Sequence, residues 1–324
     1  MRLSPAIPIF CCSIACLAAQ PAAVKIPGLG FAWDGRSHAI RPIHGVPGAA
    51  VIGEGAGQTG YASAVISPGQ DLALTISSDN GQVQLIRFTS GDVQDVPGIA
   101  TPSRIIFSPS GTAALATGSK LQLLTGFTGT PTVQDLAIPT DAGEPDVLAL
   151  SDDGQFVLLS ARSGDTATTW LLSPGMSPLQ LALPAPIAAA SFQPGARDAV
   201  AFDVDGASYR ILNTSIPGEV QQLYPGSSET AGLTAMRVSL DGKQIYTANR
   251  LGTVAVIDAA TASVVSVNCG CSPTSIEPLT TNNLFRITEI SDRPVMLLDV
   301  STPSPRVWFV PSDAPSADSS RSGQ

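Results

Sequence analysis

The sequence predicts an all-β protein, a β-propeller of four-stranded blades, on three observations. The segment 239–267 contains three short apolar, β-branched runs, at 244–248, 253–258 and 263–267, and turn residues separate them, which predicts an antiparallel meander. A similar unit recurs along the chain. Of the 324 residues, 44% are hydrophobic, 13% are charged, 30 are glycine and 27 are proline. This composition is too apolar for a disordered chain and too rich in glycine and proline for a helical one.

The repeated feature is a turn that precedes the second strand of each unit. It begins with Ser or Gln, contains Pro or Asp, and has a Gly near its end, as suits a tight turn with one residue at positive φ. A sixth unit, without the Gly, follows at 280–283. A period in the low forties is typical of propeller blades, which bury both faces only by stacking around an axis. The five clear copies begin at Ser67, Ser108, Ser151, Gln193 and Ser239.

The blade number follows from the length of the repeating region. A single propeller domain over residues 24–310 divides by this period into about seven blades, although six and eight stay open. The seventh comes from the N-terminal region, where 31–34, 39–43 and 49–53 are strand-like. Because 31–43 parallels 254–267 in its apolar spacing, we expect it to be the outer half of a blade. The ring would then close by pairing early strands with late ones.

Both ends of the chain differ from the repeat. Residues 1–19 have a positive Arg2, an apolar stretch and small residues at Ala18 and Ala19, which predicts a signal peptide and a secreted or periplasmic protein. The alternative is a lipid anchor at Cys16, since 13–16 loosely resembles a lipobox. No later segment is apolar enough to span a membrane. The segment 311–324 has no apolar residue larger than Ala and is predicted to be a disordered tail.

The charge of the chain restricts its partners. The formal net charge is −9, and no basic cluster offsets it. This argues against nucleic acid and against anionic membrane surfaces. We therefore expect an unidentified protein, peptide or glycan as the partner.

The unit QIYTANRLGTVAVIDAATASVV, at 244–265, resembles the repeat of bacterial YVTN-type propellers. The Ser-Pro-x-Gly turns are similar to those of WD40-like and TolB-type repeats. The resemblance implies an exported propeller and does not imply a ligand, because propellers host many unrelated activities. One departure from the WD40 pattern is that no Trp-Asp dipeptide ends a third strand, since Trp33-Asp34 lies in the N-terminal segment.

The sequence predicts no catalytic, cofactor-binding or metal-binding residue. His38 and His44 flank one predicted strand and have no supporting motif. The carboxylates lie mostly in turns, where they cap backbone amides, and no calcium-loop spacing is present. The three tryptophans, at 33, 170 and 308, favour packing between blades over a binding face.

Cys269 and Cys271 are the first choice for a special site. They are the only cysteines that remain after the predicted signal peptide, and a single Gly separates them. Three interpretations stay open: a local disulfide, two buried free thiols, or a redox or metal site. As a disulfide, the pair would close almost no loop and would add little stability.

These observations support two main hypotheses of function. The first is an exported, non-catalytic propeller that binds a protein, peptide or glycan through loops at one end of the ring. The alternative is a lactonase- or hydrolase-type enzyme that acts at the central channel. A scaffold in an envelope assembly is a third hypothesis.

Overall fold

The structure, a computed structural model, describes residues 27–55, 59–118, 120–140, 142–143, 145–163, 166–213 and 218–312. These residues form strands in seven antiparallel sheets, which are arranged as a β-propeller, and no helix occurs among them. The predicted fold class and blade number are confirmed. The predicted signal peptide, the anchor at Cys16 and most of the predicted tail lie outside the described residues. No described segment is a helix that could cross a membrane.

Six blades have four strands, and the first blade has three in the described residues. The first blade contains β1 (Gly28–Asp34), β2 (Ala39–Val46) and β3 (Ala49–Ile52). The second contains β4 (Tyr61–Ile66), β5 (Leu72–Ser77), β6 (Val83–Arg87) and β7 (Val93–Asp95). The third contains β8 (Arg104–Phe107), β9 (Ala113–Thr117), β10 (Leu121–Thr125) and β11 (Thr132–Leu136). The fourth contains β12 (Pro145–Leu150), β13 (Val157–Ser163), β14 (Thr166–Leu172) and β15 (Leu179–Leu181).

The last three blades complete the ring. The fifth contains β16 (Ile187–Phe192), β17 (Ala199–Asp203), β18 (Ser208–Leu212) and β19 (Glu219–Tyr224). The sixth contains β20 (Leu233–Val238), β21 (Gln244–Asn249), β22 (Thr253–Asp258) and β23 (Val264–Asn268). The seventh contains β24 (Glu277–Pro278), β25 (Leu284–Arg286), β26 (Val295–Asp299) and β27 (Arg306–Val310). The first strands of blades two to six contact one another in turn around the axis, and Glu277 of β24 lies at the same axis, so the first strand is innermost in blades two to seven. We call the end of the ring where the inner strand turns into the second strand the upper face, and the opposite end the lower face.

The repeated turn lies on the upper face, and its Ser closes it. The Ser151 hydroxyl accepts a hydrogen bond from the Phe156 amide at 3.0 Å and donates one to Asp153 at 2.7 Å. Ser239 bonds its own turn in the same way. Gly154 has a φ of 68°, the left-handed conformation that glycine adopts without a steric penalty. The recurring Ser and Gly therefore have a common mechanical cause.

The apolar core lies between neighbouring blades. Leu115 and Leu123 of the third blade pack against Leu150, Leu159 and Trp170 of the fourth. Equivalent clusters join other neighbouring pairs of blades. Each blade therefore buries its faces only against its neighbours, as the repeat predicts.

The first blade lacks an inner strand in the described residues. The Leu29 carbonyl, at the start of β1, accepts a hydrogen bond from the Thr280 amide on the upper face at 2.8 Å. Arg36, after the end of β1, pairs with Asp292 on the lower face. β1 therefore runs from the upper to the lower face, which is the direction of a second strand. It follows that β1, β2 and β3 are the second, third and fourth strands of their blade.

A shared corner supports this assignment and corrects the expected register. Asp34 in the first blade, Asp203 in the fifth and Asn249 in the sixth are buried where a second strand ends, and each caps the amide two residues later at 3.0 Å. Asp258 makes the same 3.0 Å cap at a third-strand corner. Because the two kinds of corner have the same local chemistry, the sequence parallel indicated the outer half of a blade. The structure shows the outer three strands.

The predicted pairing of early with late strands is wrong for the described residues. No strand of the seventh blade pairs with β1, β2 or β3. Instead Leu29 and Ile43 of the first blade pack against Leu284, Leu297 and Val310 of the seventh. Side-chain packing and a few hydrogen bonds close the ring where a shared sheet was expected.

Candidate functional site

A central cavity of about 400 Å³ runs between the inner strands of blades two to seven. Alanines at 188–190 and 235 contribute to its wall, and their short side chains leave the axis open. The wall comes from residues 65, 66, 68, 104–107, 146–148, 188–190, 234–237 and 274–277. Residues of six blades line this cavity, so it is the first place to look for a ligand.

Arg237 crosses the upper end of this cavity. Its Nη2 donates a hydrogen bond of 2.7 Å to the Pro109 carbonyl, on the opposite side of the ring. Burial lowers the pKa of the Arg237 guanidinium, and the carboxylates of Glu277 and Asp152 oppose that shift. Arg237 therefore works as a buried cross-brace that narrows the upper entrance.

The lower end of the cavity is more accessible. Arg104 and Asp146, near the lower ends of their inner strands, line the cavity and are exposed to solvent. The Asp146 carboxylate lies 3.6 Å from the Arg162 guanidinium, and both side chains are more than half exposed. A ligand would therefore meet charged, hydrated groups first if it entered from the lower face.

A side cavity of about 170 Å³ occupies the place of the inner strand of the first blade. Phe31 and Trp33 of β1 form one wall, and Ala64–Ile66 of β4 form another. Glu277 and Glu289 stand near Arg286 on the side of the seventh blade. The further residues of the lining are Gln70 and Ser275. The side cavity and the central cavity share residues 65, 66, 275 and 277, so they adjoin.

The side cavity has more carboxylates than basic groups, and one of its hydroxyl groups is unpaired. Burial lowers the pKa of Arg286, and Glu277 and Glu289 oppose that shift. Arg286 donates to the carbonyl of Thr288 at 2.8 Å. The buried hydroxyl oxygen of Ser275 has no hydrogen-bond partner among the described residues. The site therefore combines an excess of carboxylate with an unsatisfied hydroxyl, which is unusual for an interior wall.

Gln70 joins three blades above the side cavity. Its Nε2 donates to the Pro278 carbonyl at 2.7 Å, and its Oε1 accepts from the Phe31 amide at 2.6 Å. Gln70 has a φ of 58° and takes the turn position that glycine fills at Gly111, Gly154 and Gly242. Its side chain therefore supplies, at the seam of blades seven, one and two, hydrogen bonds that an inner strand would otherwise make.

Gly30 makes room for this side chain. A Cβ atom added to Gly30 would lie 2.7 Å from the Gln70 Oε1 and 3.2 Å from a Leu279 methyl carbon. Gly30 also has a φ of 139°, which other residues rarely adopt. Both features require glycine here.

A pair of apolar side chains projects from the lower face of neighbouring blades. Val204 is 41% exposed in the fifth blade and Leu251 is 81% exposed in the sixth. Gly232 links their turns, because its amide donates to the Val204 carbonyl at 3.4 Å and its carbonyl accepts from the Arg250 amide at 3.2 Å. We call Val204 and Leu251 the lower apolar patch.

Cys269 and Cys271 form a disulfide beside this patch. Cys269 is buried against Tyr246 and Phe285, and its amide donates to the Gly252 carbonyl at 2.8 Å. A Cβ atom on Gly252 would lie 2.5 Å from the Cys271 carbonyl oxygen. The disulfide loop therefore packs directly against the turn that presents Leu251. Neither cysteine lines the central or the side cavity.

The two histidines lie apart from the cavities. The Nδ1 of His38 is 2.9 Å from the Tyr61 carbonyl oxygen, and the His38 side chain is exposed. His44 lies in β2 with an Nδ1 that has no partner among the described residues. Neither lines the central or side cavity. No group of three metal-ligating side chains occurs in the described part of the chain.

Sequence reasoning missed the residues that shape the cavities. The sequence could have indicated Gln70, because it occupies a position of the repeated turn that is glycine in other blades. It could not have indicated Arg237 or Glu277, since each lies in an ordinary inner strand. Trp33 packs between the first and second blades and Trp170 between the third and fourth, as predicted, and Trp33 also lines the side cavity.

The chain matches no known protein family and no curated protein. Its similarity to solved structures is one of fold. A functionally unknown protein from Desulfotomaculum acetoxidans has a TM-score of 0.60 at 15% identity, over 88% of this chain and 99% of that one. Two further structures carry the name "putative 6-phosphogluconolactonase". The one from Bacteroides fragilis has a TM-score of 0.58 at 13% identity, covering 90% of this chain and 96% of its own. The one from Bacteroides uniformis has a TM-score of 0.56 at 16% identity, covering 88% and 96%. At these identities the likeness establishes the propeller fold alone.

Proposed function

We propose that this protein is an exported, non-catalytic binding propeller that holds a peptide segment of a partner protein at its lower face. The observation that carries the proposal is a central cavity that is braced at its upper end by Arg237 and lined by exposed charged residues at its lower end. The lower apolar patch adds two exposed aliphatic side chains on the same face. Aliphatic side chains beside a polar opening suit a peptide segment, which offers apolar side chains to the patch and backbone hydrogen bonds to the polar groups.

Catalysis in the cavity has less support than peptide binding. Acid–base catalysis needs a base within hydrogen-bond reach of the proton that it moves. Neither histidine lies in the cavity wall, and the Ser275 hydroxyl is not hydrogen-bonded to a described base. These observations favour binding over acid–base catalysis as the proposed function of the cavity.

The proposal can be tested by selection from a displayed library of random 12-residue peptides on immobilised protein of residues 20–324. We expect enriched peptides that bind in a fluorescence-anisotropy titration and lose at least tenfold in affinity to the Val204→Asp/Leu251→Asp variant. Leu240→Asp is the matched control, because Leu240 is 50% exposed on the upper face. Failure to enrich any peptide, or equal loss in the control, would overturn the proposal.

One observation favours a second candidate, a hydrolase that acts in the side cavity. Glu277 and Glu289 stand there with Arg286, and paired carboxylates can serve as acid and base. A panel of lactones and esters tests this candidate directly. Turnover that Glu277→Gln and Glu289→Gln abolish, with folding intact, would favour the hydrolase.

A further inference from the structure

We infer that the first blade takes up the partner's peptide as an inner strand, which the described residues of this blade lack and which would pair with the inner edge of β1. This inference rests on the proposed function, because it assumes a peptide partner and specifies how that peptide is held. It adds a site, a binding mode and a chemical class of peptide.

The first step is the orientation of the β1 backbone. Phe31 lies opposite Pro42 of β2, which has no amide hydrogen, and the Phe31 amide points inward to the Gln70 side chain. In an antiparallel pair, residues two apart direct their backbone groups to the same side. Trp33, which lies opposite Ile40, therefore also presents its amide and carbonyl to the inner side. No described strand is hydrogen-bonded to that edge of β1.

The second step is the space beside this edge. The side cavity lies between β1, the inner strand β4 of the second blade and residues of the seventh blade, and it adjoins the central cavity. The inner strands β4, β12, β16 and β20 have six residues each. An incoming strand that runs from the lower to the upper face would be antiparallel to β1 and parallel to these inner strands. The open lower end of the central cavity offers its entrance.

The third step is the chemistry of the walls. Phe31, Trp33 and Ile66 give an apolar lining on the sides of the first and second blades. On the side of the seventh blade, Glu277 and Glu289 outnumber the single Arg286. Strand residues alternate between two sides, so the fitting peptide alternates small apolar residues with polar ones and includes one Lys or Arg. Such a cation would face the excess carboxylate.

The fourth step decides between a partner and the chain itself. In five of the six connections between blades, the inner strand begins nine residues after the preceding outer strand ends, as from Ile52 to Tyr61. The same spacing after Val310 leads to residues 319–324, Ser-Ser-Arg-Ser-Gly-Gln. This segment has no apolar side chain for the wall of Phe31, Trp33 and Ile66. In the other blades the inner strand ends six or seven residues before the second strand begins, so an inner strand before Gly28 would end at 21 or 22 and would fall half or more within the predicted signal peptide. A segment of a partner protein therefore suits the lining better.

Backbone methylation of the selected peptide tests the inference on the unaltered protein. Each peptide position is N-methylated in turn, which removes one amide hydrogen without changing the side chain. If the peptide adds as a strand, every second methylation within a run of about four residues lowers affinity at least tenfold, and the intervening ones have little effect. A flat profile would overturn the inference while leaving the proposed function intact.

Two variants and a deletion complete the test. Trp33→Pro removes the inward amide, and Trp33→Ala controls for the lost ring, so we expect at least tenfold weaker binding to Trp33→Pro than to Trp33→Ala. Equal binding would count against strand addition, and unfolding of Trp33→Pro leaves the methylation profile decisive. Removal of 313–324 should leave affinity unchanged. A tenfold gain would show that the tail is the native occupant and would overturn the choice of a partner.

Discussion

At two places in the ring, which we call seams, a side chain of one blade forms hydrogen bonds to two other blades. The side chain is a carboxylate at one seam and an amide at the other. In the middle of the ring, Asp152 of the fourth blade accepts hydrogen bonds from the amides of Ser110 at 2.8 Å and Gly195 at 2.7 Å, so its carboxylate joins blades three, four and five. At the closing seam, Gln70 of the second blade joins blades seven and one. Both bridging residues belong to the repeated upper turn.

The difference reflects what each seam must satisfy. Asp152 meets two donors and is partly exposed, so a carboxylate serves both and stays hydrated. Gln70 is 7% exposed and meets one donor, from Phe31, and one acceptor, on Pro278. A carboxylate cannot donate, and burying its charge would be costly, so an amide is the suitable group. The absence of an inner strand from the described residues of the first blade thus explains why a neutral amide side chain occupies this position in the turn of the second blade.

Removal of the Gln70 amide should have the largest effect. Gln70→Ala leaves a buried amide and a buried carbonyl unpaired, and we expect the free energy of unfolding to fall by about 3 kcal/mol. Gln70→Gly loses the same bonds but relieves the positive φ, so it should be about 1 kcal/mol more stable than Gln70→Ala. Urea unfolding measures both. A Gln70→Ala protein as stable as the wild type would contradict the role given to the closing seam.

Asp34 should give the next largest effect, with a definite pH dependence. Burial raises the pKa of this carboxyl, but hydrogen bonds from Ser37, the Arg36 amide and Arg41 outweigh burial and lower the pKa below its ordinary value of 3.8. A lowered folded pKa stabilises the protein above pH 3.8, and this stabilisation disappears as the pH falls through the folded value. We expect Asp34→Asn to cost about 2 kcal/mol at pH 7.

The pH profile separates this effect from a general loss of packing. The difference between Asp34→Asn and wild type should shrink when urea unfolding is repeated at pH 3 and lower. A difference that stays constant from pH 7 to pH 2.5 would show that the carboxylate charge has no part in holding the corner of the first blade.

Most of the architecture could be predicted from the sequence because its causes are local. Alternating apolar residues produce strands, and Ser and Gly at fixed turn positions produce the upper corners, so the repeat can be counted. The position of β1 as the second strand of its blade could not be predicted, because Asp34 caps a second-strand corner and Asp258 caps a third-strand corner with the same geometry. The hydrogen bonds of the corner are therefore the same whether a second or a third strand precedes it.

The cavities could not be predicted because their decisive contacts join distant residues. Gln70 and Pro278 are 208 positions apart, and Arg237 and Pro109 are 128 apart. Only the closed ring brings these pairs together. The cysteine pair was noticed because two cysteines separated by one glycine are rare, and the structure places this pair beside the lower apolar patch rather than in a cavity.

Asp152 should be less sensitive than Gln70, which sharpens the comparison of the two seams. In Asp152→Ala, water can reach the amides of Ser110 and Gly195, because this seam is partly exposed. We therefore expect a loss of about 1 kcal/mol in the free energy of unfolding. Asp152→Asn is the control for shape, and should lose less than Asp152→Ala. If Asp152→Ala cost as much as Gln70→Ala, burial would not be what distinguishes the seams.

The disulfide should have the smallest effect on global stability and a clear local one. Cys269 and Cys271 close a loop of three residues, so reduction should lower the free energy of unfolding by about 1 kcal/mol. Because the Cys269 amide donates to the Gly252 carbonyl, reduction should loosen the turn that presents Leu251. Hydrogen exchange of amides 249–253 is therefore expected to accelerate at least tenfold, while the equivalent turn of the fifth blade, at 203–207, serves as the unaffected control.

Thiol titration of unfolded protein should find two thiols after reduction and none before. Two thiols before reduction would mean that the protein carries no such bond, and the turn of Leu251 would then depend on packing alone.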